Sequence, residues 1–280
     1  MIRELGALTR RELKRLVRNP QAVATSLMLP ILYLLLFGQA FDLSVAFAGT
    51  GPEGQIRFLE VVRGAPTYFS YFSAGMVGFV AVTATLFVGA NVIFDRLFGV
   101  LKRTAASPAT ATSIFGSRLI AGMIQPVGLA FLVLGLAVLL GHVGLSGLQV
   151  TSSFSVLGWT EIILAILIVS AMFASLFLAI GFSIEQPQSY FAVVNLINLP
   201  VLLTSAALFP WGLMPAWFQS VTSYNPVTLA VNVIRENLFA GASSYYPYGP
   251  AVYLGGLTAW AIAMFIIATY LARRALAPRV

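Results

Sequence analysis

The sequence predicts an all-α integral membrane protein, a bundle of six transmembrane helices in a single domain over residues 1–280. Of the 280 residues, 59% are hydrophobic and 9% are charged, whereas a soluble domain carries about a quarter charged residues. Apolar stretches of roughly twenty residues recur along the chain, and a helix of that length crosses the hydrocarbon of a bilayer. The basic residues are clustered in short segments between these stretches.

Six stretches have the apolar length of a membrane span. They are residues 21–41, 66–92, 115–141, 159–181, 189–209 and 251–272. Ahead of them, residues 1–19 place apolar and basic side chains near helical spacing, which predicts an amphipathic helix in the headgroup region. Between the fifth and sixth spans, residues 210–249 are rich in aromatic side chains, and their apolar run over 226–240 is too short to cross. This segment is predicted to form external re-entrant helices.

The distribution of Lys and Arg predicts the orientation. Six spans place all but three of the 16 basic residues on one side, the exceptions being Arg57, Arg63 and Arg235. Cytoplasmic segments of membrane proteins concentrate Lys and Arg, so both termini are predicted to be cytoplasmic. This bias also accounts for the net charge of +7 without a nucleic-acid partner. Spans rich in Ala and Gly favour the plasma membrane of a prokaryote.

The residues that catalysis would need are missing from this sequence. A phosphate-binding loop requires Gly followed by Lys and Ser or Thr, but the only lysines, Lys14 and Lys102, do not follow glycine. Cysteine is absent, and His142 is the only histidine. We therefore expect no catalytic residue, no metal site and no cofactor in this chain. Glu161 and Glu185 lie near span ends, which argues against an ion-driven transporter or an ion channel.

Small and polar residues inside the spans are candidates for a substrate path. Gly75, Gly78 and Thr85 share one face of the second span, and Asn195 and Asn198 are neighbours on the fifth. Each set has a structural alternative. Small stripes let helix backbones approach closely, and asparagines form hydrogen bonds between helices.

The loop after the second span resembles a known motif. Its residues, Asp95-Arg96-Leu97-Phe98-Gly99-Val100-Leu101-Lys102-Arg103-Thr104-Ala105-Ala106-Ser107-Pro108, are similar to the loop of the ABC-2 type transporter permeases of the daunorubicin-resistance and nodulation-export branch. The basic N-terminal helix, the segment Tyr71–Gly75 and Met214–Phe218 followed by Tyr224-Asn225-Pro226 and Arg235 agree with that family in order. Two positions depart from its pattern, with Leu97 in place of Glu and Ala74 in place of Pro.

The resemblance implies the membrane subunit of an ATP-driven exporter. A dimer of two permease copies, identical or paralogous, would dock on two ATP-binding subunits that hold ATP and Mg²⁺. Residues 94–106 would form a coupling helix in a cleft of the ATPase. Its contact residues would be Asp95, Arg96, Leu97, Phe98, Gly99, Lys102 and Arg103. Spans 2 and 5 would line a path for an amphipathic or hydrophobic cargo. The alternatives are an ordinary basic loop for 94–106, and a membrane scaffold or unpowered channel for the whole chain.

Overall fold

The computed structural model describes residues 2–18, 20–41, 43–47, 51–100, 103, 111–153 and 155–276. All regular structure in these ranges is helical, which confirms the all-α class. The α-helices are α1 (Ile2–Val17), α2 (Pro20–Ala40), α3 (Leu43–Phe47), α4 (Gly51–Val61), α5 (Tyr68–Leu97), α6 (Ala111–His142), α7 (Val156–Ser183), α8 (Pro187–Leu203), α9 (Ala216–Tyr224), α10 (Pro226–Leu238) and α11 (Pro250–Leu276). Two short 3₁₀ helices cover Trp211–Leu213 and Ala242–Tyr245.

Five segments of the described chain are long and apolar enough to cross a membrane, which confirms a multi-pass membrane bundle. They are Val23–Phe47, Tyr68–Leu97, Ser113–His142, Val156–Ser183 and Pro250–Leu271. The predicted fifth span corresponds to α8, which has 17 residues and a length of about 26 Å at 1.5 Å per residue. A bilayer core is about 30 Å thick, so the count of six spans stays a prediction.

The predicted end of the fifth span, at residue 209, is wrong, because α8 ends at Leu203. The N–H of Thr204 bonds back to the carbonyls of Pro200 and Leu202, which tightens the last turn. Asn225 Nδ2 donates to the carbonyl of Val201 at 2.7 Å. A side chain from a distant segment therefore satisfies one of the carbonyls at the end of the helix.

Helices α5 and α7 form the centre of the bundle, and small residues let them approach closely. Gly89 of α5 lies against the backbone of Phe177, and Gly181 of α7 lies against the backbone of Gly89. The hydroxyl of Tyr190, on α8, donates to the carbonyl of Leu86 at 2.6 Å. Close backbone packing of this kind holds membrane helices together where water provides no driving force.

The bundle has two ends with different chemistry. We call the end that carries α1, the last turn of α5 and the last turn of α7 the basic end, and the opposite end the distal end. Helix α1 packs on α6, where the methyl group of Leu5 faces Gly116. The predicted amphipathic helix is therefore present as Ile2–Val17 and contacts the bundle directly.

At the distal end, the predicted external segment forms α9 and α10. Helix α10 has 13 residues, a length of about 20 Å, which is too short to span a bilayer. The sequence suggested one apolar face, but residues 226–235 are all buried. The reason is tertiary: α10 is packed against α5, α7 and α11.

Candidate functional site

The last turn of α5 holds a buried carboxylate between two cations. Asp95 is 2% exposed, and its Oδ2 accepts from Nη2 of Arg118 at 2.6 Å. Its Oδ1 accepts from Nη1 of Arg15 at 3.0 Å. The three side chains come from α5, α6 and α1, so this ion triad joins three helices at the basic end. Because the triad occupies both carboxylate oxygens, Asp95 is oriented toward the bundle.

Arg96 is also bound within the chain. Its guanidinium donates to the carbonyls of Phe182 at 2.9 Å and Ile184 at 3.1 Å. These carbonyls lie at the end of α7, where helical carbonyls lack intrahelical partners and carry partial negative charge. A cation at this position satisfies them and joins α5 to α7.

The two residues that follow face outward. Leu97 is 61% exposed and Phe98 is 73% exposed. Gly99 has φ of 69°, a left-handed conformation that turns the chain at the end of α5 and that glycine adopts without strain. Arg103 is exposed. Lys102, like residues 101 and 104–106 of the predicted coupling helix, lies outside the described residues.

The predicted substrate-path residues of the second span lie in helix contacts. Gly75 faces the backbone of Ala207, and Gly78 faces the side chain of Val231. Thr85 is buried, and its hydroxyl donates to the carbonyl of Val82 at 2.6 Å. These contacts favour the alternative in which the small residues serve helix packing. A role for them in a substrate path stays a prediction.

The two asparagines of α8 line a cavity instead. Its volume is about 270 Å³, and it lies between α2, α5 and α8. Asn198 is buried, and its Oδ1 has no hydrogen-bond partner among the described residues. The rest of the lining is mostly apolar, and the residues are Thr25, Ser26, Leu29, Tyr33, Phe79, Thr83, Leu86, Phe87, Leu199, Leu202, Leu203 and Leu208. The asparagines therefore supply polar groups to an apolar space.

A buried arginine at the distal end was recognised in the sequence only as a family position and an external charge. Arg235 of α10 is fully buried. Its guanidinium donates to the carbonyls of Tyr71 and Ala206, each at 2.9 Å, and lies 3.4 Å from the centre of the Tyr71 ring. These bonds join α10 to α5 and to the chain after α8. The available signal was a charge directly after the apolar run of α10.

A second cation lies beside it. The guanidinium of Arg63 lies 3.9 Å from the Trp211 ring and 5.0 Å from the Tyr246 ring, and burial lowers its pKa. Glu236 has a buried Oε1 without a hydrogen-bond partner among the described residues. Burial, followed by the charge of Glu161, raises the pKa of Glu236 to about 7. The described residues contain no group of three His, Cys, Asp or Glu side chains that could hold a metal ion.

Comparison with known proteins identifies several relatives of this chain. The ycf38 transport permease of Porphyra purpurea is 29% identical over 237 residues, covering 84% of this chain and 74% of that protein. Nodulation protein J of Rhizobium meliloti is 26% identical over 219 residues, 76% of each chain. The daunorubicin resistance ABC transporter permease protein DrrB1 of Streptomyces coeruleorubidus is 22% identical over 230 residues, 82% of this chain and 72% of that protein.

The sequence profile of the ABC-2 type transporter family matches residues 3–239. That range includes the ion triad, the exposed pair Leu97–Phe98, the lined cavity and Arg235. Since the match covers most of the chain, the protein belongs to the ABC-2 type transporter family.

Proposed function

We propose that this chain is the transmembrane permease subunit of an ATP-driven exporter. It moves an amphipathic or hydrophobic cargo outward, such as a drug-like molecule, a lipid or a lipid-linked glycan. A separate ATP-binding subunit, present in two copies, binds ATP and Mg²⁺ and supplies the work. The observation that carries the proposal is the exposed pair Leu97–Phe98 at the basic end of a chain whose family works with ATP-binding subunits.

The exposed pair has the chemistry of a docking contact. Large apolar side chains at the centre of an interface contribute most of the binding free energy when a partner covers them. Phe98 is 73% exposed. Of the charged residues near it in sequence, Asp95 and Arg96 are bound within the chain, whereas Arg103 is exposed. Leu97 and Phe98 then bind the ATPase, and Arg103 contacts its surface.

The internal bonds of Asp95 and Arg96 explain how a push on this contact reaches the membrane spans. They hold the last turn of α5 to α1, α6 and α7. A displacement of the docked segment therefore moves several helices together. Coupling of this kind is reciprocal, so cargo in the membrane also changes the affinity for ATP.

The cargo path lies along α5 and α8, the second and fifth spans, facing a second copy of the permease. The outward face of α8 is apolar and exposed, with Leu196 75% exposed and Leu199 56% exposed. The cavity that Asn195 and Asn198 line opens beside it. An apolar lining with a few uncharged polar groups suits an amphipathic cargo. The daunorubicin resistance permease among the relatives supports a drug-like cargo.

The basic end faces the cytoplasm of a prokaryote in this proposal, and the chain lies in the plasma membrane. The exposed basic side chains of α1, such as Arg10 and Lys14, contact anionic lipid headgroups there. This orientation requires α8 to cross the bilayer as the fifth of six spans. The distal end, with α9 and α10, then faces outward.

Co-purification tests the proposal. Phe98→Asp places a charge at the proposed contact, and Phe209→Asp makes the same change at an exposed position of the distal end. Wild type and Phe209→Asp are expected to retain a co-expressed candidate ATP-binding subunit in mild detergent, and Phe98→Asp to lose it. The expected loss of affinity in Phe98→Asp is about tenfold or more, and tenfold corresponds to about 1.4 kcal/mol of binding free energy. If no ATP-binding protein associates with any form, a membrane scaffold or an unpowered channel explains the chain better.

A further inference from the structure

The distal end contains a second and larger cavity. Its volume is about 510 Å³, and it lies between the ends of α2 and α6 and the start of α5. It shares no lining residue with the cavity beside α8. The lining residues of interest are Gln39, Phe41, Tyr68, Val138, His142 and Gln149.

Specific hydrogen bonds build one wall of this cavity. The Gln39 side chain donates from Nε2 to the carbonyl of Ser146 at 2.8 Å and accepts from its N–H at 2.9 Å. The N–H of Gln149 donates to Oγ of Ser70 at 3.1 Å. Gly141 and Gly147 lie in backbone contact, which leaves no room for a Cβ. The loop after α6 is therefore held back over the helix ends, and the cavity is preformed.

The chemistry of the lining selects a class of ligand. Its polar side chains are amides, hydroxyls and one imidazole, and no described lining residue is a carboxylate, lysine or arginine. Amides and hydroxyls both donate and accept hydrogen bonds, which matches a ligand rich in hydroxyl groups. Aromatic side chains at Phe41 and Tyr68 supply flat apolar surfaces beside them. A charged headgroup would find no opposite charge among the lining residues that the structure describes.

Exposed apolar side chains in the lining indicate that the ligand also carries an apolar part. Phe41 and Leu145 line the cavity and are 52% and 47% exposed. They lie just beyond the ends of α2 and α6, two helices that belong to the apolar spanning segments. A ligand seated in the cavity therefore has an apolar route for a chain toward the membrane.

We propose that this cavity binds the uncharged, hydroxylated headgroup of an amphiphile, with a sugar as the head and an alkyl chain leaving past Phe41. Binding does not depend on the ATP-binding subunit. The site is therefore separate from the proposed docking contact and from the cavity beside α8. Failure of this proposal leaves the exporter assignment intact, and the reverse also holds.

Equilibrium binding of radiolabelled octyl β-glucoside tests the proposal, with the chain in phosphatidylcholine nanodiscs and empty nanodiscs as background. Saturable binding is expected. Octyl sulfate, octanol and methyl β-glucoside are each expected to displace the probe at least about tenfold more weakly than octyl glucoside itself. Equal displacement by octyl sulfate or octanol refutes recognition of the head. Equal displacement by methyl glucoside refutes the amphiphile and identifies a free sugar as the ligand.

Two variants locate the binding. Gln149→Leu removes an exposed amide from the lining, and Val138→Trp fills the cavity. Each is expected to weaken octyl glucoside binding by about tenfold or more. Asn195→Leu, in the other cavity, is the matched control and is expected to leave it unchanged. If folded Gln149→Leu binds like wild type, or if Asn195→Leu alone loses binding, the proposed site is wrong. Because Gln149 is exposed, this test remains available when Val138→Trp fails to fold.

Discussion

Replacing Asp95 by Asn tests whether the ion triad stabilises the fold. The change keeps the shape of the side chain and removes the negative charge between Arg118 and Arg15. Arg118 is 3% exposed and Arg15 is 44% exposed. Loss of the shared carboxylate therefore leaves a buried, unpaired charge at Arg118, whereas water can solvate the charge of Arg15.

The magnitudes follow from burial. Removing one partner of a buried ion pair leaves an uncompensated charge and costs about 3–5 kcal/mol. An ion pair with one exposed partner contributes about 0–1 kcal/mol, because water and salt screen it. Asp95→Asn is therefore expected to lower the free energy of unfolding by about 3–5 kcal/mol, and Arg15→Gln, the matched control, by less than about 1 kcal/mol. The double change Asp95→Asn with Arg118→Met is expected to recover much of the loss, since no buried charge remains.

Unfolding by SDS of the protein in mixed micelles, followed by tryptophan fluorescence, measures these differences. Equal stability of Asp95→Asn and wild type would refute the structural role of the triad. So would equal losses in Asp95→Asn and Arg15→Gln. If Asp95→Asn instead remains stable and loses the ATP-binding partner, Asp95 is a contact residue for the ATPase, as the resemblance implies.

Two further predictions concern the helix core and the distal end. Gly89→Ala brings a Cβ against the carbonyl of Phe177 and is expected to lower the free energy of unfolding by about 1–3 kcal/mol. The control, Gly255→Ala, has no atom within 4 Å of the added Cβ and is expected to change that free energy by less than about 0.5 kcal/mol. Thermal midpoints in detergent compare the two variants, and equal midpoints would contradict close packing at Gly89. Burial raises the pKa of Glu236 from 4.5 to about 7, so its protonated form stabilises the fold fully below pH 4.5 and this stabilisation is lost as the pH rises through 7. The thermal midpoint of wild type is expected to fall over that window and that of Glu236→Gln to fall less; parallel curves would refute the assignment.

The sequence predicted the spans well because hydropathy is a local property. Helices α2, α5, α6, α7 and α11 begin and end within a few residues of the apolar stretches, apart from an extension of α5 to Leu97. The extension passes through Asp95 and Arg96, whose side chains are bound to other helices. The early end of α8 depends in the same way on Asn225, 24 residues from the carbonyl that it holds.

The sequence predicted where the candidate site lies along the chain, but not which of its side chains face outward. The sequence placed the segment from Asp95 to Arg103 at the basic end, and this segment lies within the residues that the family profile matches. The sequence could not separate Asp95 and Arg96, which are bound inside, from Leu97 and Phe98, which are exposed. Adjacent residues on a helix point in different directions, and the neighbours that receive them are distant in sequence.

By itself, the sequence determined the membrane class, the segregation of basic residues and the lack of a phosphate-binding loop, because composition and local spacing are sufficient for each. The tertiary structure alone decided how charges are paired. Arg118 and Arg15 reach Asp95 from 23 and 80 residues away, and Arg235 reaches Tyr71 from 164 residues away. In an apolar environment a polar group must find a partner at whatever distance the fold provides one, and that partner is set by packing and not by local pattern.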